Sequence, residues 1–252
     1  RGRLPNWTRL MPHYLKPAGY RCYHSGKWHV RGAPKVIADG GFDRSYLVGD
    51  QDRFFSPTRV FLDDERLPPV ERRIADYAVD FLGEHDAGHD QTPFLLYLAF
   101  TCPHFPLHAL QEDIDRYRER YQVGWDTIRR RRYKRLQELG IIDCELSAPE
   151  PQTIPRWNFK PDRLAAEIGP GEAPFAVPWN ELTDEQKDFQ ATKMAIHAAM
   201  VDRMDQEIGR VLKQLEAMNA RKNTVIFFLS DNGASAEQII RADMHDKTAA
   251  PG

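Results

Sequence analysis

The chain has no apolar stretch approaching the ~20 residues that carry a helix across a bilayer, so it contains no membrane-spanning helix of its own. It is poor in cysteine. Cys22, Cys102 and Cys144 are odd in number and far apart, which excludes a disulfide framework and a Cys-x-x-Cys metal or redox motif, and leaves the compartment unreadable. It lacks the basic surplus of a dedicated nucleic-acid binder, with a net charge of -2 and 29% charged residues. It also lacks an initiator methionine and a charged-then-apolar leader, and it closes on the loop-like Ala250-Pro251-Gly252. Both ends are therefore expected to be cut rather than finished, and nothing follows about secretion.

What remains is a 252-residue chain, enough for one large α/β domain or two small ones. Its most informative feature is the run Val225-Ile226-Phe227-Phe228-Leu229, which stops at Ser230-Asp231-Asn232-Gly233. Five bulky apolar residues predict a strand buried on both faces. In open α/β sheets ligands sit at the carboxyl ends of strands. Asp231 and Asn232 offer oxygen donors, which suit a hard cation such as Ca2+ or Mg2+. Asp-Asn-Gly is equally good turn chemistry, so the tripeptide alone leaves both readings open.

Elsewhere the spacing predicts a strand around Tyr20 to Ser25, a surface connection from Asp50 to Pro69, and an amphipathic helix over Val70–Glu84 closed by the polar run His85–Thr92. Pro93–Phe100 is a second apolar run of strand length that exits into Thr101–His104, and two such strands predict a parallel sheet. Gln111–Leu139 is dominated by charge, including Arg129 to Arg132, and reads as a solvated helical face with acids interspersed upstream. Seven prolines between residues 147 and 182 exclude regular helix or central strand over most of that stretch, an irregular excursion packed by Trp157, Phe159, Phe175 and Trp179 or lining a site. Thr183 and Gln186 form a capping box for a helix over 184–218, whose stripe from Ala198 to Met218 should lie on the sheet.

Three segments place polar groups at strand ends. In Gly26-Lys27-Trp28-His29, Lys27 and His29 leave on one side if the backbone is extended. In Pro103-His104-Phe105-Pro106-Leu107-His108 the two histidines have the spacing of a helical zinc pair, but Pro106 stands between them. The third is Asp231-Asn232. An ammonium and imidazoles around one point would stabilise a tetrahedral anion, so a sulfate or phosphate ester is the natural cargo. Each group also has a plain alternative: a histidine bonded to backbone, or a lysine snorkelling from an apolar surface. His85, His89 and His245 sit in polar stretches and are expected to be solvated.

Gly19 to His29 resembles the second sulfatase signature, Phe94 to Ala109 the family's apolar strand ending in Pro-His-x-Pro-Leu, and Asn223 to Glu237 the strand ending in Ser-Asp-Asn-Gly. Met204-Asp205-x-x-Ile208-Gly209 resembles the preceding helix, and Ile114 to Ile142 the arylsulfatase branch. The resemblance implies an alkaline-phosphatase-like α/β/α sandwich with a mostly parallel central sheet, incomplete at both ends, so that residues 1–252 are a partial catalytic domain. It implies hydrolysis of sulfate esters by a formylglycine with a Ca2+ ion, Mg2+ being possible. By position Asp231 and Asn232 would be metal ligands, Lys27 would bridge nucleophile and sulfate, His29 would orient the formylglycine, and His104 would bind sulfate and assist the leaving alcohol. No role transfers to His108.

The chain departs from that pattern in several places. It has no Cys-x-Pro-x-Arg or Ser-x-Pro-x-Arg motif, no paired N-terminal aspartates and no downstream lysine that contacts sulfate. Cys22 stands where Ser or Thr is usual, and Pro17 interrupts the helix leading into the signature. The expectation is an internal fragment of a sulfatase, with a phosphodiesterase or phosphonate hydrolase, or a non-catalytic binder of sulfated ligands, as alternatives. The partner expected is a sulfate ester and not nucleic acid; oligomeric state is left open.

Overall fold

The computed structural model describes residues 2–48, 70–105, 107–150 and 158–234. The connection expected over Asp50–Pro69, and Pro106, Trp157 and His245, fall at least in large part outside them. The chain divides into two compact units, Arg1–Phe105 with Val201–Phe227, and Pro106–Met200 with Phe228–Gly252. The first holds α1 (Met11–Leu15), β1 (Arg21–Lys27), α2 (Lys35–Asp39), β2 (Arg44–Val48), α3 (Val70–His89) and β3 (Phe94–Ala99). The second holds α4 (Gln111–Asp115), α5 (Trp125–Glu138) and α6 (Pro161–Glu167). The 34-residue α7 (Asp184–Ala217) contributes its first part to the second unit and its remainder to the first.

In the first unit the three strands run parallel in the order β2-β1-β3; the parallel sheet is as expected, but of the two apolar runs that suggested it only Phe94–Ala99 lies in this sheet. The central strand β1 is buried from Cys22 to Gly26, and its side chains alternate between the sheet faces. Tyr23 stacks on Phe81 of α3, and the Ser25 hydroxyl donates to the Ile74 carbonyl at 2.7 Å. On that side Ala75, Ala78 and Leu82 of α3 meet Val211 and Leu215 of α7, with Phe94, Leu96 and Leu98 of β3 packed against them. Each fully buried leucine or valine in such a cluster contributes about 2 kcal/mol. Arg210 pairs with Glu207 at 2.6 Å and with Asp76, which pins α7 to α3.

Several expectations change here. β3 is half-buried rather than buried on both faces, with Tyr97 46% exposed, because β1 is its only ladder partner among the described residues. α3 does not stop at Glu84 but runs to His89, since its Gly83 and Gly88 are tolerated and the polar run continues the helix. His85 is consequently not solvated: it is 2% exposed, accepts from the Tyr23 hydroxyl at Nδ1 (2.9 Å) and donates from Nε2 to the Thr92 carbonyl (3.0 Å). The run Val225–Leu229 forms no strand. Its five side chains are 45 to 84% exposed, because a strand exists only through a neighbour's hydrogen bonds and none of the described strands pairs with it.

α1 gives way at Leu15 to a 3-10 turn through Pro17, the interruption expected there. The capping box at the start of α7 is present: the Gln186 N–H donates to Thr183 Oγ1 at 3.2 Å, and the Thr183 N–H to Gln186 Oε1 at 3.1 Å. The buried row of α7 in the second unit is Ala191, Ala195 and Ala199, whereas Val201, expected on the stripe, is 38% exposed. In the proline-rich stretch one short helix does form, α6, with Pro161 in its first turn where a missing N–H costs nothing. The excursion is packed by Trp179, whose indole meets Trp125 edge-on at 5.0 Å, while Asp126 accepts the Trp179 N–H at 2.8 Å.

Candidate active site

Parallel strands deliver their carboxyl ends to one edge, and that edge of the first unit carries three of the expected polar groups. The register pairs Gly26 with Ala99 and Lys27 with Val48, so the exits of β1 and β3 are level. Lys27 closes β1, and His29 follows two residues later, outside the ladder whose alternation would have fixed its side. His104 lies in the turn that leaves β3, its N–H donating to the Thr101 carbonyl at 3.1 Å.

Gly26 explains how the two exits come so close. Its φ is +125°, and a Cβ built there would lie 2.0 Å from the Ala99 carbonyl oxygen. Only glycine permits both the backbone angle and the approach.

The imidazole of His104 is exposed, stacks on Phe105 at 4.9 Å and bonds through Nδ1 to the Phe105 carbonyl at 2.5 Å. A carbonyl can only accept, so Nδ1 carries the proton and Nε2 is the nitrogen that would exchange a proton with a ligand. His29 is also exposed, and Lys27 is half-buried. The three are cationic or cation-forming groups at the mouth of a sheet, suited to an oxyanion.

Beneath this edge lies a residue that no motif in the sequence singles out. His24 is fully buried in β1 on the face opposite Tyr23, among Trp28, Phe42 and Tyr97, and its Nδ1 shares a proton with the Ser45 hydroxyl at 2.8 Å. Burial holds its pKa at about 4, against a smaller opposing pull from the Lys27 backbone, so it is neutral at pH 7. The alternation of β1, which puts His24 and Ser25 on opposite faces, was the signal available for it. At the other end of the strand Asp43 accepts the Cys22 N–H and the Lys16 ammonium, both at 2.8 Å. Burial acts to raise the Asp43 pKa, but these partners hold it below the usual carboxylate value. The Cys22 thiol is pushed up, by burial first and by Asp43 second, which makes it an inert core group.

Asp231 and Asn232 belong to the second unit, where both are exposed in a bend and the Ser230 hydroxyl donates to the Asn232 carbonyl at 2.6 Å. Their oxygens suit a hard cation in kind. They fall short in number, because no cluster of three or more His, Cys, Asp or Glu side chains able to hold a metal occurs among the described residues. Affinity for such a cation follows ligand count and charge, so these two alone would hold it weakly. His108 donates its N–H to Met200 Sδ at 3.4 Å, and the zinc-pair spacing with His104 gains no third ligand among the described residues.

The sequence family described as Sulfatase matches residues 2–251. This chain belongs to the sulfatase family. It is 30% identical over 256 residues to an uncharacterized sulfatase of Schizosaccharomyces pombe, covering 92% of this chain and 42% of that protein. It is 30% identical over 251 residues to an arylsulfatase of Klebsiella aerogenes, covering 94% of this chain and 49% of that one. Among solved structures it is similar, with a TM-score of 0.47 and 15% identity, to one determined with its substrate D-glucosamine-2-N,6-O-disulfate, covering 88% of this chain and 49% of that one. The chain thus spans about half the length of the relatives it matches. As a sulfatase-family chain with a parallel sheet in a mixed α/β fold, it agrees with the fold class expected of it.

Proposed function

We propose that the whole protein is an arylsulfatase-like hydrolase of sulfate esters, and that Lys27, His29 and His104 receive the sulfate group. The observation that carries this reading is the level exit of β1 and β3, which sets an ammonium and two imidazoles at one edge of one sheet in a member of the sulfatase family. Lys27 offers an ammonium to the equatorial oxygens of the sulfate group, which carry its negative charge, while the electron pair of the breaking ester bond passes to the leaving oxygen. His104, held by its Nδ1 bond, presents Nε2 to the departing oxygen and, with Nε2 also protonated, passes that proton to the oxygen to make the alcohol. His29 assists release of the product sulfate. Asp231 and Asn232 are proposed as two oxygen ligands of a Ca2+ ion, which would supply positive charge toward an anionic ligand when bound, Mg2+ being a second candidate. By the family resemblance the nucleophile is a formylglycine made from a cysteine or serine. The aromatic-rich stretch from Ser147 to Leu182 is the proposed source of substrate contacts.

The test compares release of sulfate from an aryl sulfate with cleavage of a phosphodiester by the whole protein. Fast sulfate release supports the reading; negligible sulfate release beside fast phosphodiester cleavage assigns the protein to the phosphodiesterase class of the same superfamily. A non-catalytic binder of sulfated ligands would use the same Lys27, His29 and His104. The complete coding sequence decides between them, since a gene product without either motif has no nucleophile for the reaction.

A further inference from the structure

The densest positive charge on the chain lies in the second unit, on α5. Trp125–Glu138 carries Arg129, Arg130, Arg131, Arg132, Lys134 and Arg135 against only Asp126 and Glu138, in a protein whose net charge is -2. No residue of this helix is buried. One row of it is engaged. Arg129 donates to the Ser147 carbonyl and, at 3.1 Å, to its hydroxyl; the Tyr133 hydroxyl donates to the Cys144 carbonyl at 2.6 Å; Gln137 donates to the Tyr133 hydroxyl at 2.8 Å. These residues recur every fourth position, so the segment from Cys144 to Ser147 lies along that side.

Arg130, Arg131 and Lys134 are off that row and exposed. The two acids of the helix are already occupied: Glu138 pairs with Arg135 at 3.4 Å, and Asp126 accepts the Trp179 N–H. None of the three cations has an ion pair among the described residues. Like charges at such spacing repel and weaken the helix, so the cluster works against stability.

We propose that this face of α5 is an accessory site for the anionic groups of a sulfated polysaccharide, an inference that rests on the sulfate-ester reading above. A small ester with one sulfate needs one cationic pocket. Two guanidinium forks and an ammonium within about 6 Å of helix rise instead match a ligand that repeats its anions along a chain. The open face carries no aromatic ring on which a base would stack, since Tyr133 is on the engaged row. It also carries no apolar side chain to enter a membrane; the exposed Leu139 and Ile141 follow the last residue of the helix. Such a face would raise the local concentration of a polymeric substrate, with steep dependence on salt.

The experiment measures binding of a fluorescein-labelled heparin fragment to the whole protein between about 50 and about 200 mM salt, for the wild type and for Arg130→Gln/Arg131→Gln/Lys134→Gln. Glutamine keeps helix propensity, and Arg130→Lys/Arg131→Lys serves as the charge-preserving control. The triple variant is expected to bind roughly tenfold or more weakly at low salt, and its log K against log salt slope to fall by about 2, while the lysine control retains affinity. Unchanged affinity and slope in the triple variant would overturn the proposal. So would tighter binding of duplex DNA or of phosphatidylserine vesicles than of heparin, or equal binding of desulfated heparin. Turnover of p-nitrophenyl sulfate, measured in parallel, should be equal in the wild type and the triple variant; a fall would contradict an accessory role. If neither protein turns over that ester and heparin binding still depends on the three cations, the helix site stands and the ester reading fails.

Discussion

Gly26→Ala tests the geometry on which the candidate site rests. Its new Cβ would sit 2.0 Å from the Ala99 carbonyl oxygen and 2.7 Å from the carbonyl carbon, both backbone atoms that no rotamer change can move. Relief therefore requires β1 and β3 to separate just before Lys27 and Thr101. Overpacking of this kind costs about 1 to 3 kcal/mol, and a φ of +125° adds about 1 to 2 kcal/mol for an L residue, giving about 2 to 5 kcal/mol in all. For a protein of this size that corresponds to a fall in Tm of roughly 5 to 20 °C, read by circular dichroism. Gly83→Ala is the matched control. Gly83 lies in α3 with nothing within 4 Å of its would-be Cβ, so alanine should stabilise by about 0.5 to 1 kcal/mol and raise Tm. A Gly26→Ala variant that melts within about 2 °C of wild type would refute the close β1–β3 approach.

His24 gives a pH dependence with a definite sign. Its imidazole titrates near 6.5 when unfolded and near 4 in the fold, so the unfolded chain binds more protons between those values. Stability should be fully present above pH 6.5 and decline by about 3 kcal/mol as pH falls to about 4, and His24→Gln should flatten urea-unfolding profiles over that window by the same amount. An identical pH slope in the variant would contradict this. Tyr23→Phe removes the hydroxyl that His85 Nδ1 accepts, leaving a buried acceptor unmet at a cost of about 1 to 3 kcal/mol; urea midpoints unchanged within error would count against the bond. Phe227 and Phe228 are 84% and 78% exposed, so replacing both with serine in residues 1–252 should lower binding of a hydrophobic dye while leaving far-ultraviolet ellipticity intact.

Legibility followed the strength of each local pattern. Long helices announced themselves by period and cap, as Thr183 and Gln186 did for α7. The strand β1 was visible through its apolar and aromatic residues, and β3 through Phe94–Ala99, but burial of β3 was overestimated because an apolar run says nothing about how many neighbours it will find. β2 escaped notice: Arg44-Ser45-Tyr46-Leu47-Val48 has two polar residues in five, and its strand character comes from pairing with β1. Val225–Leu229 shows the converse, a composition that favours a strand in a segment that none of the described strands pairs with. Of the site, Lys27, His29 and His104 could be placed at strand exits because glycine, proline and polar residues follow apolar runs there. The role of His24 was hidden, since its environment is made by Phe42 and Tyr97, distant in sequence.

The central claim is that the edge where β1 and β3 exit receives a sulfate group. Steady-state turnover of an aryl sulfate by the whole protein carrying Lys27→Ala tests it most directly, because Lys27 closes β1 at that edge. Loss of one charged group that stabilises the developing anion should lower kcat by about 100-fold or more while the melting profile stays close to wild type. A variant that turns over the ester at the wild-type rate would contradict the account.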